Sequence, residues 1–294
     1  MLSPGPMPFK FMLTNIMMET RASPRLSGYS ILEVSGPEAA AFLQAQTMND
    51  VVALAPGQWQ WNGWLNPKGR VIALFALYKV ADEEFLAILP DFPAAELLPR
   101  LQRFVFRAKV RLRVADELAC SGDFAPMVLQ PQAMELDFSG EGGRRRLRLL
   151  PATSALLADP DPESDARWYA MDIAHGLPRL PESQREAWTP EMLSLERLSA
   201  YSLKKGCYPG QEIVARTHYL GQAKRRLVRL AGTGLQVGLE VRGEFGDGLG
   251  SLVCATTDGR EGLAVTVAAS GPMHLAHAGP INELAILDGL GRAL

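Results

Sequence analysis

The chain has 294 residues, 47% apolar and 21% charged, with a formal net charge of -2. This is ordinary globular usage with room for two domains and a sizeable core. It gives no global pull toward nucleic acid or an anionic membrane, although a local basic patch stays open. Three cysteines, Cys120, Cys207 and Cys254, are widely spaced. No pair has metal-ligand spacing, which argues against a self-contained zinc or cluster site and against a disulfide framework, and a reducing cytoplasmic compartment fits best. The apolar run Phe11 to Met18 is broken by Thr14 and Asn15 and followed by Glu19, unlike a signal peptide. No stretch approaches the roughly 20 apolar residues of a membrane span. Residues 1–25, Pro-rich at the start, read as a flexible segment.

In chain order, Tyr29 to Val34 reads as a strand. Gly36-Pro37 then opens a helix through Ala39, Phe42, Leu43 and Thr47. Gln58 to Leu65 and Arg70 to Val80 read as strands around the turn Asn66-Pro67-Lys68-Gly69, with Glu84 to Leu89 as antiparallel neighbour. Pro93 starts a helix expected to reach about Phe106, and Lys109 to Val114 alternates as a half-exposed strand. Cys120 to Leu150 is expected to be β-rich, Asp159 to Asp165 to be a loop, and Arg167 to His175 and Pro190 to Tyr201 to be short helices. From about Leu227, short β-prone runs alternate with Gly-rich turns, and Asp258-Gly259 reads as a hairpin turn. The expected division is 26–226, an α+β layered region, and 227–294, a small all-β barrel.

The run with most chemical content is Lys204 to Arg216. Gly206 and Gly210 bracket Cys207 and allow a tight loop. Cations before a thiol favour the thiolate, so Cys207 with Lys205 is the candidate catalytic pair. Glu212 and Arg216, four apart, would share a helix face and could pair. The plainer alternative is a buried structural cysteine beside solvated lysines.

Lys205-Gly206-Cys207-Tyr208-Pro209-Gly210-Gln211-Glu212-Ile213-Val214-Ala215-Arg216 resembles the signature of the YgfZ family, K-G-C-Y/F-x-G-Q-E-x-x-x-R. Gly221 and Lys224-Arg225 continue it. Ser35 to Ala39, Phe42 to Thr47 with Asp50, Asn66 to Arg70, and Gly176-Leu177-Pro178 are similar to further family elements. The resemblance covers roughly residues 26 to 290. It implies an aminomethyltransferase-like folate-binding fold with a C-terminal β-barrel, a tetrahydrofolate-type ligand, and a monomer. By order, the family's two folate-contacting aromatic positions fall on Tyr29 and Trp168; Glu212 and Arg216 complete the proposed binding set. One departure matters. The aminomethyltransferases carry an acidic residue shortly after the glycine turn, whereas Gly69 is followed here by Arg70, Val71, Ile72, Ala73 and Leu74. No carboxylate is there to move a proton.

His175, His218, His274 and His277 have no carboxylates at matching spacing, so no metal site is expected. Arg144-Arg145-Arg146 with Arg148 could touch RNA but reads first as a solvated hairpin, and direct nucleic-acid binding is not expected. Lys224-Arg225-Arg226 could hold a folate glutamate tail or an acidic partner. Three functions follow from the resemblance. The first is a folate-binding factor supporting iron–sulfur proteins, including tRNA methylthiolation enzymes. The others are a folate-dependent one-carbon transferase, and a non-catalytic adaptor for cluster proteins. Whether the protein turns over a substrate is left open.

Overall fold

The structure, a computed structural model, describes residues 22–124, 134–220, 224–268, 271–276 and 279–292. The Pro-rich start, the run Phe11 to Met18, Gly221 and His277 lie outside them. The short strand β1 (Ser23–Pro24) precedes β2 (Tyr29–Ser35), α1 (Ala39–Gln46), β3 (Trp59–Leu65), β4 (Val71–Ala81), β5 (Glu84–Pro90), α2 (Ala94–Gln102) and β6 (Arg111–Val114). Strands β2 to β6 form an antiparallel sheet in the order β3-β4-β5-β2-β6. β4 is apolar almost throughout because it is central and covered on both faces. Phe75 and Leu77 pack with Phe42 and Leu43 of α1 and Leu97 and Leu101 of α2. The alternate residues Leu74, Ala76 and Tyr78 face the second core, shared with the rest of the molecule. α2 stops at Gln102, short of the expected Phe106. Phe104 and Val105 make three-residue turns instead, and the Phe104 ring meets Trp64 edge-on at 6.0 Å.

Next come β7 (Leu118–Asp123), β8 (Glu135–Asp137) and β9 (Arg146–Pro151), paired β7-β9-β8, then β10 (Leu157–Ala158), which lies parallel to β1. α3 (Pro162–Ala174) begins inside the stretch read as a loop. Asp161 accepts the Ser164 amide at 3.1 Å, Pro162 occupies the first turn, and Glu163 and Asp165 favour the helix N-terminus, so the acidic, proline-bearing stretch is a helix start. Pro190 to Tyr201 is not an α-helix. It holds one 3-10 turn, Leu195–Leu198, between Ser194 and Ser199 at φ 50° and 53°. The Ser194 hydroxyl accepts the Leu227 amide at 3.1 Å, which holds this turn against the first barrel strand. The arginine cluster also differs from expectation. Arg144 is exposed, but Arg145, Arg146 and Arg148 are buried, with Arg146 paired to Asp123 and Glu135. Long-range carboxylates, rather than water, solvate these charges.

After α4 (Gln211–Leu220), six strands close a barrel: β11 (Arg225–Ala231), β12 (Glu240–Gly243), β13 (Gly248–Ala255), β14 (Glu261–Val267), β15 (Met273–Leu275) and β16 (Pro280–Leu284). Its order is β11-β14-β13-β12-β15-β16, around Val228, Leu230, Val241, Leu252 and Ala264. The expected α+β fold with an all-β C-terminal barrel is the one formed. β15, three residues long, carries too little alternation to be read from sequence. The tail then returns to the first half. Leu287 donates its amide to Ala174 O at 2.9 Å, the Trp61 indole donates to Leu290 O at 2.9 Å, and Arg197 pairs with Asp288 at 2.7 Å.

Candidate functional site

A cavity of about 750 Å³ opens where the start of β2, α3 and the barrel meet. Tyr29, Asp91, Tyr169, Arg179 and Arg185 line it, with Val237 and Thr257 from the barrel side. Tyr29 begins β2 opposite Pro90, and the next residue, Asp91, is held at φ 58° with its amide bonded to Gly28 O at 3.0 Å. Gly176, at φ 67°, ends α3 and lets Leu177-Pro178 swing Arg179 back toward the cavity.

Arg179 organises the wall. Its Nε donates to Asp172 at 2.9 Å, Nη1 to Asp91 at 2.6 Å and Nη2 to the Tyr29 hydroxyl at 3.4 Å. Its guanidinium lies 5.0 Å from the Tyr29 ring and 5.2 Å from the Tyr169 ring. Asp172 also accepts from Arg145 at 2.5 Å. Arg145, Asp172, Arg179 and Asp91 thus alternate in sign and sum to zero formal charge. Arg145, Asp172 and Arg179 are buried, so each ion needs its neighbour. Burial raises the Tyr29 and Tyr169 hydroxyls above the usual tyrosine range, so both face the cavity as neutral groups. Arg185 donates to Asp91 O at 3.0 Å, and its Nε is buried at the cavity with no hydrogen-bond partner among the described residues.

Trp168 is 1% exposed. Its indole donates to the Tyr29 hydroxyl at 3.0 Å, the Arg145 guanidinium lies 4.9 Å from its ring, and Phe138 and Phe124 pack around it. The structure therefore joins Tyr29 and Trp168, with Trp168 behind and Tyr29 at the opening.

The signature segment is built separately. Gly210 sits at φ 79°, where a Cβ would come 2.6 Å from Asn66 O and 2.7 Å from the Gly69 Cα. At Gly69, φ 68°, a Cβ would come 2.8 Å from the Ile213 Cβ. The two glycine turns, far apart in sequence, are seated against each other. Cys207 is exposed on this loop, whereas Cys120 and Cys254 are buried and burial raises the Cys254 thiol to about 11. Lys205 corrects an expectation. Its ammonium does not serve the thiol; it donates to the carbonyls of Gln44, Thr47 and Asn49, at the C-terminal end of α1. Burial brings its pKa down to about 8. Glu212 and Arg216 are both exposed on α4 and form no ion pair with each other among the described residues. Cys207, Lys205, Glu212 and Arg216 do not line the Tyr29 cavity. After the turn, Val71, Ile72, Ala73 and Leu74 are buried apolar side chains.

Sequence reasoning missed Asp91, Asp172 and Arg179. A signal existed in Asp172, an acid flanked by Met171 and Ile173 four residues after Trp168, and in Arg179 directly after Gly176-Leu177-Pro178.

A family model described as the GCVT N-terminal domain matches residues 25–142. The tRNA-modifying protein YgfZ of Vibrio vulnificus is 29% identical over 229 residues, covering 71% of this chain and 69% of its own length. An uncharacterized protein of Haemophilus influenzae is 31% identical over 205 residues, covering 69% of this chain and 70% of its own. The YgfZ of Colwellia psychrerythraea is 29% identical over 225 residues, with 69% of each chain covered. Among solved structures, the glycine cleavage system aminomethyltransferase T of Bartonella henselae superposes with a TM-score of 0.68 over 89% of this chain and 84% of its own, at 15% identity, a likeness of fold. With its signature loop, layered first half and closing barrel, the chain belongs to the YgfZ family of aminomethyltransferase-like proteins.

Proposed function

We propose that the protein binds a tetrahydrofolate-type ligand in the Tyr29 cavity and supports iron–sulfur enzymes, those of tRNA methylthiolation among them, in the cytoplasm. The observation that carries this reading is the cavity itself: about 750 Å³, within the range of small-molecule sites, with aromatic faces and a few fixed polar groups. Tyr29 offers a ring for a pterin, Asp91 a carboxylate for its amino edge, and the Arg185 Nε an unused donor for a ligand carboxylate. Tetrahydrofolate, when bound, supplies a carrier for one-carbon units. Relatives named tRNA-modifying proteins support the cellular role. The apolar run Val71 to Leu74 offers no proton acceptor for aminomethyl transfer. Exposed Cys207 is the thiol we assign to contact with client proteins.

Titration of tetrahydrofolate against tryptophan fluorescence tests the binding. The expected result is saturable quenching. Tyr29→Ala should weaken binding about tenfold, or about 1.4 kcal/mol, and Trp168→Phe should keep binding with a smaller signal. Absence of saturable quenching in the wild type sinks the reading.

A further inference from the structure

A second cavity, of about 440 Å³, lies beside β3, an edge strand of its sheet, beneath the segment leading to Cys207. It shares no lining residue with the Tyr29 cavity. Its wall includes Asp50, Gln60, Glu196, Tyr201 and Lys204. Gln60 is 0% exposed, yet neither its Oε1 nor its Nε2 has a hydrogen-bond partner among the described residues. Asn62, two residues along the same strand, is half satisfied: its Oδ1 accepts the amides of Asn49 and Gly63 at 2.9 and 2.8 Å, while its Nδ2 has no partner among the described residues. An unsatisfied buried polar group costs about 1–3 kcal/mol. A leucine at position 60 would avoid that cost, so the retained amide calls for a partner that the protein itself does not supply.

We propose that this cavity is a site for an adenine nucleoside or its monophosphate. A carboxamide presents a donor and an acceptor side by side, and that pair matches the N6–N7 edge of adenine. Asp50 and Glu196 are carboxylates on the same wall, suited to accept ribose hydroxyls, as acidic residues do in dinucleotide folds. That acidic pair favours a nucleoside over a pterin, which has a similar edge but no sugar diol. Asp50 already accepts from Gln44 at 3.1 Å, which fixes its carboxylate. Lys204 is exposed at the rim, where a 5′-phosphate would find a cation. Tyr201 adds a half-buried aromatic wall. Since Ser202 and Lys204 belong both to this wall and to the approach to Cys207, occupancy would be felt by the thiol loop.

Calorimetric titration of adenosine and of AMP onto the full chain tests the proposal, with the wild type and the Gln60→Leu, Glu196→Ala and Lys204→Ala variants. Both ligands should bind the wild type at one site. Gln60→Leu should lose at least tenfold in affinity for both, while its melting temperature without ligand is equal or higher. Lys204→Ala should weaken AMP and spare adenosine. Glu196→Ala, an exposed position that does not threaten folding, should weaken adenosine and leave 2′,3′-dideoxyadenosine unchanged. Two outcomes overturn the proposal. The first is no binding of either ligand to the wild type; a lower melting temperature in Gln60→Leu would then make the amide the holder of a structural water. The second is binding that Gln60→Leu leaves intact.

Discussion

At the scale of single residues, two buried groups are the most exacting. Asp172 is the shared acceptor of Arg145 and Arg179. Asp172→Asn leaves two buried guanidinium groups short of a counter-charge and should cost about 3–5 kcal/mol, read from urea unfolding. His175 is fully buried, with Nδ1 bonded to Met171 O at 2.8 Å and Nε2 facing the Gly142 amide at 3.4 Å. That geometry holds the neutral ring with its proton on Nδ1. Burial lowers its pKa from the ordinary value of 6.5. The unfolded chain therefore takes up the proton first as pH falls. Stability contributed by this group is complete above about pH 6.5 and declines below it. His175→Asn should flatten the fall in melting temperature on the acid side of that value; an unchanged slope would refute the assignment. Glu191 acts in the opposite sense, since burial raises its carboxyl above the usual range and folding retains its proton as pH falls. These roles are not legible in the chain order, because each depends on partners distant along it. Asp172 is 27 residues from Arg145, and Asp91 is 88 from Arg179. What it did expose was Tyr29 and Trp168, through their order in a resembling family, and the Cys207 loop, through an unbroken run of signature residues.

At the scale of elements, the first sheet was readable because its strands alternate and its turns carry glycine, proline and asparagine. Errors fell where two cues conflict. Proline in Asp159 to Asp165 suggested a loop, yet Pro162 is at a helix start where its missing amide is harmless. Pro190 to Tyr201 is apolar at helical spacing, but left-handed serines break it into a single turn. The cluster Arg144-Arg145-Arg146 with Arg148 reads as a solvated hairpin, but Arg145, Arg146 and Arg148 are buried against carboxylates from elsewhere in the fold. The contact between the two glycine turns makes a differential prediction. Gly210→Ala meets backbone at 2.6–2.8 Å and must also adopt a strained φ, whereas a Cβ on Gly206 meets nothing within 4 Å. Gly210→Ala should cost about 2 kcal/mol or more in chemical denaturation, and Gly206→Ala less than about 0.5 kcal/mol. Equal effects would mean that the turns are not seated as described.

At the scale of the whole molecule, the barrel packs Leu227, Val253, Cys254, Leu263 and Val265 into the core it shares with the first half. The Ser194 hydroxyl bonded to Leu227 and the tail that follows β16 add to that packing. Val237 and Thr257 complete the Tyr29 cavity, so its shape depends on how the barrel is held. Deleting residues 285–294 should leave a closed barrel but uncouple it. Calorimetry should then show two transitions in place of one, and tetrahydrofolate affinity should drop at least tenfold. A single transition with full affinity would show that the tail is dispensable.

The segment after β16 is a clasp, bonded to Ala174 at Leu287 and to Trp61 at Leu290. A clasp of this kind opens as a unit, so hydrogen exchange at the Leu287 amide and at the Trp61 indole should proceed at one common rate, faster than exchange in the barrel strands.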